Sequence, residues 1–163
     1  WDEAGMDPTC PEWRDAAVAH AERLAPDAVM TVVTRSDPGE DDEALRPGVE
    51  RFVERMTQSG IEVWAVRDNP RFSFDMFGCV VEADEALECA VPQSSSLAAV
   101  DPSRRLSGPG VRFIDLTPWI CPDGFCPGVI GNVAVYRDDN HLSGTYARTL
   151  APSLAEQLPP SLG

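Results

Sequence analysis

At 163 residues, with 43% hydrophobic and 25% charged side chains, the chain has the make-up of one globular domain large enough to bury a core. Its net charge of −14 argues against nucleic acid and against an anionic lipid surface, both of which need clustered Lys and Arg. No run approaches the ~18 consecutive apolar residues of a membrane span, and no signal-peptide pattern opens the chain. It starts at Trp1 rather than Met, so the expectation is a piece of a longer protein.

Thr9–Leu24 reads as a helix: Thr9 and Glu12 have capping-box spacing, and Pro11 suits a first turn. Trp13, Ala16, Ala17, Ala21 and Leu24 recur on one face, and His20 beside them reads as a packed histidine rather than a catalytic one. Residues 28–34 (AVMTVVT) predict a strand covered on both faces. Residues 36–42 are a polar loop. The acids from Glu40 to Glu43 lack the spacing and glycine of a calcium loop and read as a solvated helix entry. A second helix is predicted over 42–59, with a stripe of Leu45, Val49, Phe52, Val53 and Met56. Gly60 stops it, and Pro47 pushes its start later.

Residues 61–66 (IEVWAV) are the next strand, followed by a turn at 67–70. Residues 72–101 look irregular, with a short helix near 84–88. Residues 111–116 (VRFIDL) are a third strand, and 129–136 a hairpin-like stretch. The last helix follows Ser143, and Pro152 should kink or restart it. Residues 159–163 should fray. There is no internal repeat, so the chain reads as a single domain. Strands alternating with helices imply an α/β fold, a mostly parallel sheet with helices on both faces. In such sheets chemistry sits beyond the carboxyl ends of the strands. Three loops qualify: 35–37, 67–70 and the segment that reaches Asp138 and His141.

Five cysteines are an odd count. The shortest loops pair Cys79 with Cys89 and Cys121 with Cys126, which would place the chain in an oxidising compartment. Each such bridge contributes ~2–3 kcal/mol in the chain-entropy picture. Other pairings, reduced buried thiols and a zinc site are the alternatives, although no Cys-x-x-Cys pair or well-placed ligand histidine favours zinc. Cys10 is left either free or paired with a cysteine before Trp1.

The strongest chemical signal is Asp138-Asp139-Asn140-His141. An acid two or three residues before a histidine can hold one imidazole nitrogen and leave the other free to take a proton. Spacing slightly favours Asp138 over Asp139 as that acid. The competing reading is a helix-entry loop built from turn-forming residues. Arg35, at the end of the first strand, is a candidate oxyanion or substrate donor, with a surface ion pair as the rival reading. No serine lies in a nucleophile motif.

Three stretches carry a resemblance to a known family. They are Cys10-Pro-Glu-Trp13-Arg14, residues 60–70 leading toward Cys79, and Cys121-Pro-Asp-Gly-Phe-Cys126 followed by Val133-Ala-Val-Tyr-Arg-Asp138-Asp139-Asn140-His141-Leu142-Ser143. Together they resemble the later part of an SGNH/GDSL hydrolase-type domain, and more narrowly the extracytoplasmic SGNH domain fused to acyltransferase-3 membrane proteins that O-acetylate cell-surface sugars. The resemblance implies a three-layer, flavodoxin-like α/β sandwich lacking its first strand and helix. It implies His141 as general base, Asp138 as its orienting carboxylate, and a serine in a Gly-Asp-Ser motif that this sequence does not contain and that would lie upstream. It also implies an upstream partner for Cys10. The family's oxyanion Asn is not evident near 34–36, where Arg35 is the substitute.

The expected function is the C-terminal, extracytoplasmic portion of an O-acyltransferase tethered to a bacterial membrane. It would take an acyl donor from a membrane domain and pass acetyl or acyl groups to a glycan, with no cofactor, no metal and no membrane insertion of its own. A secreted SGNH esterase and a non-catalytic glycan-binding domain are the alternatives. The 163 residues alone are expected to be inactive, and with an unpaired sheet edge they should be marginally stable.

Overall fold

A computed structural model describes residues 9–39, 43–84 and 86–159, the side chains at 9–11, 86 and 87 excepted. The expectations for the Cys10 side chain, the Thr9–Glu12 capping box, the acids at 40–42 and the tail beyond Pro159 therefore lie outside the described residues.

In chain order the elements are α1 (Thr9–Leu24), β1 (Ala28–Val32), β2 (Thr34–Ser36), β3 (Glu43–Leu45), α2 (Val49–Gln58) and β4 (Glu62–Val66). There follow α3 (Met76–Glu82), β5 (Val91–Pro92), β6 (Val111–Ile114), α4 (Thr117–Ile120), β7 (Phe125–Cys126), β8 (Val129–Ile130) and β9 (Val133–Ala134). Helices α5 (Gly144–Thr149) and α6 (Ala151–Gln157) end the described chain. Short 3-10 turns occupy Ala86–Cys89, Gln93–Ser95, Pro102–Leu106 and Pro122–Gly124.

The centre is a parallel sheet in the order β1-β4-β6, with Ala28 opposite Glu62 and Val63 opposite Val111. On one face Val63 and Ala65 pack with Val33, Val49, Val53 and Met56, and Val18 and Ala21 of α1 close over them. Among the described residues a second core, to which no strand of this sheet contributes, gathers Phe72, Met76, Ile120, Tyr136, Tyr146 and Leu150, and α6 packs against β6. Helices thus flank the sheet, which is the α/β layering expected. Each fully buried side chain of this size contributes roughly 1.5–3 kcal/mol relative to leaving it in water.

Two expectations for residues 28–34 are corrected. The run does not make one strand: β1 ends at Val32, and β2 pairs antiparallel with β3 in a separate ribbon. Nor is it covered on both faces. Among the described residues β1 pairs only with β4, and Met30 is 50% exposed.

The second helix starts at Val49, not near 42, because residues 43–45 are strand β3. Gly48 takes the left-handed conformation at the helix entry, with φ 77°. The stop at Gly60 is a Schellman motif: with φ 78° there, Ile61 N donates to Met56 O and Gly60 N to Thr57 O, both at 3.0 Å. Residues 72–101 hold more order than periodicity suggests. Helix α3 is capped by the Asp75 carboxylate, which accepts from the backbone N–H of Phe77 and Gly78. Pro152 does restart the last helix, since α5 ends at Thr149 and α6 carries the proline in its first turn.

Candidate functional site

The segment from β9 to α5 makes a tight loop with both ends fixed. Gly131 and Asn132 both have positive φ and turn β8 into β9, the backbone a two-residue hairpin requires. Tyr136 then bridges Leu142, and Arg137 N donates to His141 O at 2.9 Å. Ser143 caps α5: its hydroxyl accepts from Tyr146 N at 3.1 Å and donates to Ala134 O at 2.6 Å.

Inside this loop Asp138 and His141 meet. Asp138 Oδ2 lies 2.8 Å from His141 Nδ1, while Oδ1 accepts the backbone N–H of His141 at 2.7 Å and of Asn140 at 3.0 Å. Burial works against the Asp138 charge, but the two backbone N–H groups and the imidazole outweigh it and hold the carboxyl at about 2. An ionised carboxylate accepts only, so it selects the imidazole tautomer with the proton on Nδ1. The lone pair is then on Nε2. The His141 side chain is 60% exposed, and among the described residues no serine hydroxyl bonds to it.

The three loops selected from the sequence converge here. Arg71 links them: Nε donates to Ser36 O at 3.3 Å, Nη1 to Asp139 at 3.2 Å, and Nη2 to Asn140 Oδ1 at 2.8 Å. Asn140 is 5% exposed, and its Nδ2 reaches Asn69 O and Pro70 O. Asp139 thus pairs with Arg71 rather than with the imidazole, and its carbonyl accepts Phe72 N at 2.8 Å. Sequence reasoning did not find Arg71 or Asn140. Their partners are about 70 residues away in the chain, and no local pattern reports such a pairing.

Arg35 stands on β2 with its side chain 61% exposed and bonded to Asp37 at 3.2 Å. Among the described residues it is joined to the His141 loop only through its neighbour Ser36, whose carbonyl Arg71 holds. A second guanidinium, Arg67 at the end of β4, is buried: it makes three contacts to Glu43 between 2.6 and 3.1 Å and donates to Ala98 O at 2.7 Å. Burial disfavours its charge, but Glu43, with Asp115 and Asp101 farther off, raises its pKa above the usual guanidinium value. This cluster ties β3 and the strand ends together beneath the loops.

Both local cysteine pairs form disulfides, Cys79–Cys89 and Cys121–Cys126, with Cα separations of 5.9 and 4.0 Å. They are compatible with an oxidising compartment. Among the described residues no helix is long and apolar enough to cross a membrane, and no group of three or more His, Cys, Asp or Glu is placed to hold a metal ion. A cleft of about 370 Å³ adjoins the loop and is bordered by Arg71. A larger one, about 670 Å³, lies between α1 and α2 and touches neither Asp138 nor His141.

Neither a curated protein nor a solved structure matches the chain. The family model described as the SGNH domain fused to AT3 domains matches residues 2–156, nearly the whole chain and the entire Asp138–His141 loop. The chain belongs to this family of SGNH domains associated with acyltransferase-3 proteins.

Proposed function

We propose that the chain is the extracytoplasmic part of a membrane-tethered bacterial O-acyltransferase, which moves acetyl or acyl groups onto cell-surface glycans. The observation that carries this reading is the 2.8 Å Asp138–His141 pair with its outer nitrogen open to solvent. The family match supports it further.

In the first step a serine oxygen attacks the donor's acyl carbon. His141 Nε2 takes the serine proton and returns it to the departing donor group as the donor–acyl bond breaks. In the second, a glycan hydroxyl gives its proton to Nε2 and bonds to the acyl carbon. The serine–acyl bond breaks, and the proton returns to the serine oxygen. Asp138 stays ionised and steadies the imidazolium. The serine is assigned to sequence outside these 163 residues, which hold no Gly-Asp-Ser. Each donor to the developing oxyanion would be worth about 3–4 kcal/mol.

A second reading is hydrolysis by the same groups, with water as acceptor. The exposure of His141 favours it, since solvent reaches the base freely.

The test is His141→Ala in the membrane-fused protein, with acyl groups on surface glycan quantified by mass spectrometry. Loss of the modification is expected, and Asp138→Asn should slow transfer by about 10²–10⁴-fold. Unchanged modification in His141→Ala would overturn the reading and leave a glycan-binding role.

A further inference from the structure

The cleft beside the loop has a composition that the acid–base pair does not explain. Its walls are Pro38 and Gly39 on one side and residues 71–74 on the other, with Val91 and Ser95 also lining it. Gly39 N donates to Ser95 O at 3.0 Å and pins the first wall. The second wall is fixed to the catalytic loop itself. Phe72 N bonds to Asp139 O, and Arg71 both lines the cleft and holds Asp139 and Asn140, the two residues between Asp138 and His141. Neither Asp138 nor His141 lines the cleft, so whatever occupies it lies against the stretch that is bonded to the base's loop.

Phe74 is 39% exposed, with its ring tilted 37° to the buried ring of Phe72 at 5.9 Å. The cleft thus offers an uncovered aromatic ring as a platform. The hydroxyls of Ser73 and Ser95 make no hydrogen bond to the described protein, and three of the five guanidinium N–H groups of Arg71 are used, which leaves two. An aromatic platform edged by unused donors suits a ring that is apolar on its C–H face and hydroxylated around its rim. An acyl chain fits worse, because it would bury those polar groups without partners. An anionic sugar fits worse too. The Arg71 charge is already matched by Asp139 at 3.2 Å, and the chain carries a net charge of −14. The volume of about 370 Å³ lies at the lower end of the range for ligand clefts, roughly 300–1,000 Å³.

We infer that this cleft is a binding subsite for a neutral sugar ring. Phe74 stacks on the ring, and Arg71, Ser73 and Ser95 bond its hydroxyls. Only the identification of that sugar as the acyl acceptor rests on the transfer reading.

The test is a titration of the isotope-labelled 163-residue chain with neutral glucose, galactose and mannose oligomers and with the matching uronic-acid oligomers, read by backbone amide NMR. At least one neutral oligomer should give saturable shifts centred on residues 73, 74 and 95. Phe74→Ala should weaken its Kd at least tenfold, Phe74→Tyr should restore it, and His141→Ala should leave it unchanged. The amide spectrum of each variant reports whether the fold is kept, and Phe74 is exposed enough for truncation to be tolerated. No saturable shift with any neutral oligomer, shifts centred on the α1–α2 cleft, or tighter binding of the uronic acids would each overturn the inference. The two readings fail separately. Sugar binding that persists while His141→Ala leaves surface acylation intact removes the transfer reading and keeps the subsite. Lost acylation in His141→Ala, with binding indifferent to Phe74, does the reverse.

Discussion

Arg71 Nη2 donates to Asn140 Oδ1 at 2.8 Å, although 69 residues separate them in the chain. The same amide gives its Nδ2 to Asn69 O and Pro70 O. The turn that aims His141 is thereby clamped to the loop after β4 by an almost fully buried side chain. The precision of the Asp138–His141 pair depends on this clamp, because the imidazole itself stands in solvent.

Asn140→Ala removes the clamp and leaves the Pro70 carbonyl and one guanidinium N–H without partners, while Asn69 O keeps the Ser36 hydroxyl. A buried polar group left unsatisfied costs about 1–3 kcal/mol. The expected result is a loss of that size in urea unfolding with an unchanged m-value. Asn140→Asp should recover part of it, because the carboxylate still accepts from Arg71 but cannot donate to the carbonyls.

The pH dependence follows from Asp138. Its carboxyl falls from an ordinary 3.8 to about 2 on folding, so between these values the unfolded chain binds more protons than the folded one. Its contribution to stability is fully present above pH ~4 and disappears as the pH drops through about 2. Urea midpoints from pH 6 to pH 2 should therefore fall more steeply for the wild type than for Asp138→Asn, and the two curves should converge at the acid end. Parallel curves would show that the carboxyl is not depressed.

Much of this site was legible in the sequence, and the physical reason is range. Asp138 and His141 are three residues apart, so the turn that joins them is a local event. The same holds for Gly60 as a helix stop and for the two short cysteine loops. The layering of the sheet was legible from the apolar runs. What was missed depends on distant partners. The ribbon β2–β3 forms where a loop and a helix start were expected, because Glu43 is drawn inward by Arg67, 24 residues on. The exposed face of β1 was missed because an apolar run reads the same whether one or two layers cover it. Arg71 is invisible as a site residue until the loops converge.

Removing either partner of the Glu43–Arg67 pair should be costly, and unequally so. The Glu43 side chain is fully buried and that of Arg67 is 6% exposed. Breaking a buried pair costs roughly 3–5 kcal/mol, because the surviving charge has no water. Arg67→Met leaves the Glu43 charge with the Ala98 N–H at 3.2 Å but no cation, and also takes the cation from Asp101 and Asp115, so it should lie toward the upper end. Glu43→Gln leaves Arg67 its bond to Ala98 O and the other two carboxylates, and should cost less. Equilibrium unfolding of the two variants measures the order. The reverse order would mean that Asp101 and Asp115 contribute nothing at their longer distances.

The Cys79–Cys89 bridge and Gly128 should prove to be coupled. The bridge closes a 10-residue separation between α3 and the turn at Ala86–Cys89, and its removal by Cys79→Ala with Cys89→Ala should cost ~2–3 kcal/mol. Gly128 packs against the same place. A Cβ there would stand 2.3 Å from Val80 Cγ2, 3.3 Å from Met76 Sδ and 3.5 Å from Cys89 Cβ. Val80 is stiff at χ1 and cannot swing aside, so Gly128→Ala must push α3 outward, at about 1–3 kcal/mol. With the bridge intact α3 resists that push, and without it the helix can yield. The triple variant should therefore be more stable than the sum of the separate losses predicts, by an interaction of about 0.5 kcal/mol or more. Strict additivity in denaturant unfolding would show that the bridge does not hold α3 against Gly128.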